Sequence, residues 1–372
     1  MSRTGSFPLR IAYRLLEHFA EPSSIIFDPF CGKGTSLLAA RMLGVAAYGM
    51  DVAPEAVICA RAKLVDVKLA NVREYIKQLR LRKNLHEKTP GTMQIFFHAS
   101  TLQQILTIRR KLLRDIASNN GKLQRNGIVT LAALLGILHG HASYSLSIPS
   151  AHAFSMAPAY VKRFAARHGL RPPVQDVKSC LIEKLSRCLE LPLPRAVPCG
   201  VKLGSALDCS RLFPELVGKV DLIMTSPPYL NAQTYAKDNW LRLWLLGHDY
   251  KKLRDSYIET GSIERYKHYM IPVFEEFRRM LKPGGRLICI AGDVRVARHG
   301  IKTATNGIFR TGRFLAQLCE SREIGFRVEE YEIHRIRSSN RYFHALSHSN
   351  GHSEVNLVER VFIARKKKMP SS

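Results

Sequence analysis

The chain has 372 residues, 46% of them hydrophobic, which allows a large buried core and excludes wholesale disorder. Lys and Arg number 57 against 30 Asp and Glu, a net charge of +27 that points to a polyanionic partner. The basic residues are spread along the chain and not gathered on one amphipathic helix, which argues against a membrane surface. The eight cysteines include no C-x-x-C pair and match no usual zinc spacing. Several lie in apolar runs such as Leu287-Ile288-Cys289-Ile290, and the chain reads as reduced and cytoplasmic. The amino terminus shows no cleavable apolar segment, and the longest apolar run, 128–138, is too short to cross a bilayer.

Residues 6–20 have amphipathic helical spacing, with Leu9, Ala12, Leu15, Leu16 and Phe19 on one face. Ile25-Ile26-Phe27 reads as a buried strand ending in Asp28, followed by Pro29-Phe30-Cys31-Gly32-Lys33-Gly34-Thr35-Ser36 and a helical pattern. Gly32 and Gly34 let the backbone turn tightly and approach a ligand. A third apolar run then ends in a second acid, Asp51. Strand, glycine loop, helix, strand and acid in that order form a Rossmann-like half, in which the loop meets the ligand chain and the carboxylate takes ribose hydroxyls.

The pattern changes near 64. A basic helical stretch is expected over 65–82, a polar loop over 84–92 and a strongly amphipathic helix over 101–116, with Arg109, Arg110, Lys111 and Arg114 on its polar face. An apolar helix is expected over 128–138, and residues 139–160 read as a loop packed on this helical core. That loop holds His139, His141 and His152 without an accompanying carboxylate, so no metal site is expected. Residues 161–170 give a helix whose Lys162, Arg163, Arg167 and His168 beside Phe164 suit either phosphate contacts or a solvated face. Arg171-Pro172-Pro173 is expected to open a helix running to Leu189, and a proline-rich exit follows.

The α/β pattern resumes with a short strand, 201–205, leading to Ser205 and Asp208. Asp221-Leu222-Ile223-Met224-Thr225 is the end of a buried strand, and Ser226-Pro227-Pro228-Tyr229 must stop it. Two prolines fix φ and cannot donate to a ladder, so they hold a rigid turn at the strand's carboxyl end, where open α/β sheets bind ligands. Such a turn offers a hydroxyl and carbonyls to a planar amino group and a ring to stack on it. Trp240, Leu241, Leu243, Trp244 and Leu245 read as core, 265–280 as a helix and 281–285 as a turn into strand 286–291. The basic, turn-rich stretch 292–311 carries Arg295 and Arg298. A helix over 314–321 and strands over 326–336 and 355–365 close the chain, with a polar linker at 337–353.

Asp28-Pro29-Phe30-Cys31-Gly32-Lys33-Gly34-Thr35 and Thr225-Ser226-Pro227-Pro228-Tyr229 together resemble the amino-group DNA methyltransferases, which methylate cytosine N4 or adenine N6 with S-adenosylmethionine. The resemblance covers 1–60 and 200–365 and leaves the middle of the chain unmatched. It implies an α/β fold, a Rossmann-like class I methyltransferase sheet with an antiparallel terminal hairpin and a largely helical insertion. The expected division is 1–63 and 200–372 as the two parts of the methyltransferase domain, and 64–199 as an inserted target-recognition region. By position, Phe7, Asp28, Pro29, Phe30, Cys31, Gly32, Gly34 and Thr35 would surround the methionine end of the cofactor, with Thr225 beside them. Asp51 would hold the ribose. Ser205 stands where the family usually has an acidic or amide residue at the adenine, with Asp208 three residues on. Ser226, Pro227, Pro228 and Tyr229 would hold the target base, and Asn231, Tyr235 and Lys237 would neighbour it. Pro198-Cys199 resembles the nucleophilic dipeptide of cytosine C5 enzymes but precedes the wrong strand, so Cys199 is taken as structural.

The reading that follows is direct in-line transfer to a flipped base, with cytosine N4 favoured because Ser precedes the prolines. The partner is DNA, with no membrane and a nucleoid-associated cytoplasmic location. An RNA base methyltransferase of the guanine-N2 type, or a non-catalytic nucleic-acid-binding relic, are the alternatives. No nuclease-like constellation is evident, which fits a modification-only role.

Overall fold

The computed structural model describes residues 7–81, 90–118, 123–149, 157–190, 197–230, 235–295, 308–335 and 358–367. They fall into two compact units. One comprises Arg3–Ala60, Val197–Thr234 and Ser256–Ser372 and is built on a sheet; the other comprises Met1–Ser2, Arg61–Ala196 and Tyr235–Asp255 and is helical.

The strands of the sheet unit are β1 (Ile25–Asp28), β2 (Ala46–Asp51), β3 (Cys199–Leu203), β4 (Val220–Thr225), β5 (Leu281–Gly292), β6 (Val294–Arg295), β7 (Ile308–Phe309), β8 (Phe326–Arg335) and β9 (Val358–Lys366). Seven of them pair in the order β3-β2-β1-β4-β5-β9-β8, while β6 and β7 form a small ribbon. The strands from β3 across to β5 are parallel, and β9 runs antiparallel to both β5 and β8. Ile26-Phe27, Leu222-Ile223-Met224 and Leu287–Ala291 are buried throughout, the continuous apolar runs of strands covered on both faces. The chain steps outward from β1 to β2 and β3, then returns to β4 on the other side of β1. The carboxyl ends of β1 and β4 therefore flank the topological switch point, where such sheets leave a crevice.

The expected turn at 281–285 is absorbed into β5 as an irregularity. Val220 pairs with Leu281 and Leu222 with Arg286, so residues 282–285 loop out opposite Asp221. The helix Ile263–Met280 covers one face of the sheet, burying Tyr266, Met270, Val273, Phe274, Phe277 and Met280 at intervals of one to four residues. Its start is capped by the Ser262 hydroxyl, which accepts from Arg265 N at 3.3 Å. Phe27, Phe213, Phe274, Phe277, Leu287 and Phe362 share the resulting core.

In the helical unit the main helices are Leu69–Gln78, Ala99–Ser118, Arg125–Ile137, Pro158–Arg167 and Val177–Cys188. Two expectations change here. Arg171-Pro172-Pro173 does not open a helix, because the helix starts at Val177, where Asp176 accepts from Ser179 N at 2.8 Å. Arg109 does not face solvent with its neighbours. Its guanidinium donates to the carbonyls of Leu245 at 3.0 Å and Trp244 at 3.2 Å and lies over the Trp244 ring, ending the short helix Trp240–Leu245. Arg242 likewise reaches the Leu135 carbonyl at 3.3 Å, and Trp240 meets Phe96 edge-on at 5.5 Å. The stretch Tyr235–Asp255 thus packs with 61–196, although it follows the proline turn in sequence. His139 hydrogen-bonds Ser147 at 3.0 Å, and burial pushes its pKa down to about 4.

Candidate active site

The site is built at the carboxyl ends of β1, β2 and β4, beginning with a buried carboxylate. Asp28, the last residue of β1, is 1% exposed. Its Oδ1 accepts from the Thr225 hydroxyl at 2.6 Å and from Phe30 N at 3.1 Å, and its Oδ2 accepts from the Ser36 hydroxyl. Burial raises its pKa to about 6, against the lowering effect of those three donors. One carboxylate therefore ties together the end of β1, the glycine loop, the helix Thr35–Met42 and the end of β4. Asp28 and Thr225 thus join the two loops at their bases.

Asp51 ends β2 and fixes the same loop from the other side. Its Oδ2 accepts from Gly32 N at 2.7 Å and its Oδ1 from Ala53 N at 2.9 Å. Cys31 is buried, its N–H donating to the Met50 carbonyl at 3.0 Å. Gly34 has φ +74°, and a Cβ there would fall 2.9 Å from that of Ala60, so the loop closes only with glycine at this position. Thr35 begins the helix after the loop, Phe30 is half-buried, and Phe7 is buried just ahead of the helix Leu9–Phe19.

At the end of β4, Ser226 is partly exposed, Pro227 is buried, and Pro228 and Tyr229 are partly exposed. The hydroxyls of Ser226 and Tyr229 lie 3.4 Å apart. The Tyr229 ring rests on Gly292 at the end of β5, where a Cβ would stand 3.2 Å from Cε2. Just beyond, Asp293 and Arg360 form a buried two-pronged pair at 2.7 and 2.8 Å that holds the ends of β5 and β9 together. Tyr266 donates its hydroxyl to the Pro228 carbonyl at 2.8 Å.

Ser205 and Asp208 flank a short turn after β3. Asp208 pairs with Arg211 at 3.0 Å, while the Ser205 side chain accepts from Leu207 N at 3.3 Å. Tyr269 stands against Phe30, with ring centroids 6.5 Å apart, and burial pushes its hydroxyl pKa up. Tyr266, Tyr269 and Gly292 are the site residues that sequence reasoning missed. The two tyrosines share the spacing of the apolar face around them, and nothing in the pattern marks them as more than core.

Tyr235 and Lys237 belong to the helical unit, as do Lys162, Arg163 and Arg167, which are exposed on the helix Pro158–Arg167. Arg295 lies in β6. Asn231, Arg298 and His152 lie outside the described residues. Cys199 is exposed at the start of β3, away from the carboxyl ends.

A parallel sheet in this order, closed by an antiparallel hairpin, with a glycine loop after β1, an acid after β2 and a proline turn after β4, defines a Rossmann-like class I methyltransferase. The sequence matches the N6/N4 methyltransferase family of DNA methylases over 3–61 and 220–370, and the chain belongs to that family. The family's methyl donor is S-adenosyl-L-methionine. Among solved structures, the chain is similar to TTHA0409 of Thermus thermophilus, provisionally named a DNA modification methylase and complexed with S-adenosyl-L-methionine. Identity is 21% over 44% of this chain, with a TM-score of 0.27, and the chain spans 53% of that protein's length. It is also similar to the rRNA methyltransferase aviRa of Streptomyces viridochromogenes (12% identity, 98% of this chain and 88% of that one, TM-score 0.32). A third is an rRNA methylase of Streptococcus thermophilus (8% identity, 98% of each chain, TM-score 0.36). No curated protein matches.

Proposed function

We propose that the protein transfers a methyl group from S-adenosyl-L-methionine to an exocyclic amino group of DNA, cytosine N4 in preference to adenine N6, on a base flipped out of the duplex. The observation that carries this reading is the shared carboxylate of Asp28, which sets the glycine loop and the Ser226–Tyr229 turn side by side at the carboxyl ends of β1 and β4. The residues around those ends fit the cofactor. Asp51 supplies a carboxylate for the ribose hydroxyls, and Phe30 and Tyr269 supply half-buried rings.

When bound, the cofactor supplies an electrophilic methyl group on a positively charged sulfur. The protein's part is to make a poor nucleophile attack it. An amino nitrogen conjugated to a base ring has its lone pair delocalised. Hydrogen bonds from the amino protons to the Ser226 hydroxyl and a carbonyl of the proline turn favour tetrahedral geometry and stabilise the charge that develops on nitrogen. The prolines hold those acceptors in place before the base arrives, so little reorganisation is needed. Tyr229, braced on Gly292, offers its ring for stacking, which offsets part of the few kcal/mol needed to extrude a base. The net charge of +27 favours the phosphate contacts that supply the rest, and the helical unit with Lys162, Arg163 and Arg167 is our candidate for target recognition.

The test is transfer of labelled methyl groups from the cofactor to duplex DNA and to total RNA, followed by mass analysis of the nucleosides. Label recovered as N4-methylcytosine supports the proposal. N6-methyladenine would move the target to adenine, and label confined to RNA would overturn the DNA assignment.

A further inference from the structure

Between the proline turn and β5 the chain forms the helix Ile263–Met280, to which no motif assigns a role. Two of its tyrosines reach the two halves of the site. Tyr266, 1% exposed, donates its hydroxyl to the Pro228 carbonyl at 2.8 Å, inside the turn that carries Ser226 and Tyr229. Tyr269 stands against Phe30 of the glycine loop, with ring centroids 6.5 Å apart. Three residues along a helix amount to a rise of about 4.5 Å with both side chains on one side, so a single rigid element reaches both loops.

We propose that Tyr266 and Tyr269 are separate positioning residues of the methyl-transfer site, Tyr266 acting on the base-holding turn and Tyr269 on the cofactor pocket. This rests on the methyltransferase reading above. The chemistry of each follows from its partner. Pro228 has no N–H of its own, and its carbonyl, once it accepts from Tyr266, fixes the orientation of the Pro228–Tyr229 peptide plane. Ser226 and Tyr229 sit on that same four-residue turn, so the hydroxyl of Tyr266 sets where the target amino group is received. Tyr269 packs its ring against that of Phe30, which follows β1, and so holds one wall of the cofactor pocket in place.

Tyr266→Phe removes one oxygen and keeps the ring, and Tyr269→Leu removes the ring that stands against Phe30. Cofactor affinity is measured by titration calorimetry on the full chain, and the methyl-transfer rate by single turnover at saturating cofactor. A crossed result is expected. Tyr266→Phe slows the single turnover about tenfold with cofactor affinity unchanged, the equivalent of one hydrogen bond, and Tyr269→Leu weakens cofactor affinity about tenfold with the saturated rate unchanged. Loss of both quantities in both variants, loss of neither, or a variant that no longer folds would overturn the proposal, since the two side chains would then be structural or idle. A wild-type protein that binds the cofactor but methylates no nucleic acid would instead sink the methyltransferase reading and the Tyr266 half with it. The affinity of Tyr269→Leu would still decide the other half.

Discussion

The Thr225 hydroxyl donates to Asp28 Oδ1 at 2.6 Å, across 197 residues of sequence. Both groups are almost fully buried, so the bond is protected from water and joins the strand that ends in the glycine loop to the strand that ends in the proline turn. The cofactor loop and the catalytic turn therefore share one foundation.

Asp28 should leave a signature in the pH dependence of stability. Its carboxyl titrates near 6 when folded and near 3.8 when unfolded, so between those values the folded state holds the proton more tightly. Its stabilising contribution is complete below about pH 4 and is lost as pH rises through 6. In Asp28→Asn that loss is absent. The stability of the wild type relative to Asp28→Asn should fall by up to about 3 kcal/mol between pH 4 and 7 and then level off, as urea unfolding at several pH values would show. A difference that is flat or rises over this range contradicts the assigned shift.

Gly34→Val should weaken cofactor binding. A left-handed φ and a Cβ placed 2.9 Å from that of Ala60 leave no room, and strain of roughly 1–3 kcal/mol would fall on the loop. Calorimetry should show at least a tenfold loss of cofactor affinity with the far-ultraviolet circular dichroism retained.

Gly292→Leu tests the bracing of Tyr229. The added side chain must push the ring off the end of β5, so methyl transfer should fall at least tenfold, while cofactor affinity stays within about twofold because the glycine loop is untouched. Equal loss of both would mean that Tyr229 serves the whole site and not the target base.

Arg360→Leu breaks a buried ion pair and leaves the Asp293 carboxylate without its guanidinium. Removing one partner of such a pair costs about 3–5 kcal/mol, and thermal unfolding should report it as a lowered Tm. The double variant Arg360→Leu with Asp293→Asn should recover part of the loss.

Much of this site was legible in the sequence because its chemistry is local. Gly32 and Gly34 after a buried strand, Asp51 after the next and Pro227-Pro228 at the end of a third each follow from short-range rules. What was hidden depends on contacts between distant segments. No short-range rule gives the bonds that Thr225, Ser36 and Phe30 make to Asp28. Tyr266 and Tyr269 carry no signal within the helix expected over 265–280, because what they touch is set by tertiary packing. The stretch Tyr235–Asp255 reads as a continuation of the sheet unit, and only tertiary contacts such as the capping of its helix by Arg109 show that it packs with the helical unit.

The central claim is that Ser226, on a turn joined to the cofactor loop through Asp28, receives the amino group that is methylated. The most direct measurement is labelled methyl transfer from S-adenosyl-L-methionine to duplex DNA by wild type and by Ser226→Ala, with cofactor affinity measured in parallel. Labelled N4-methylcytosine is expected from the wild type, with a loss of at least a hundredfold in Ser226→Ala and cofactor affinity intact. Undiminished transfer by Ser226→Ala, or no transfer to DNA by a wild type that binds the cofactor, would contradict it.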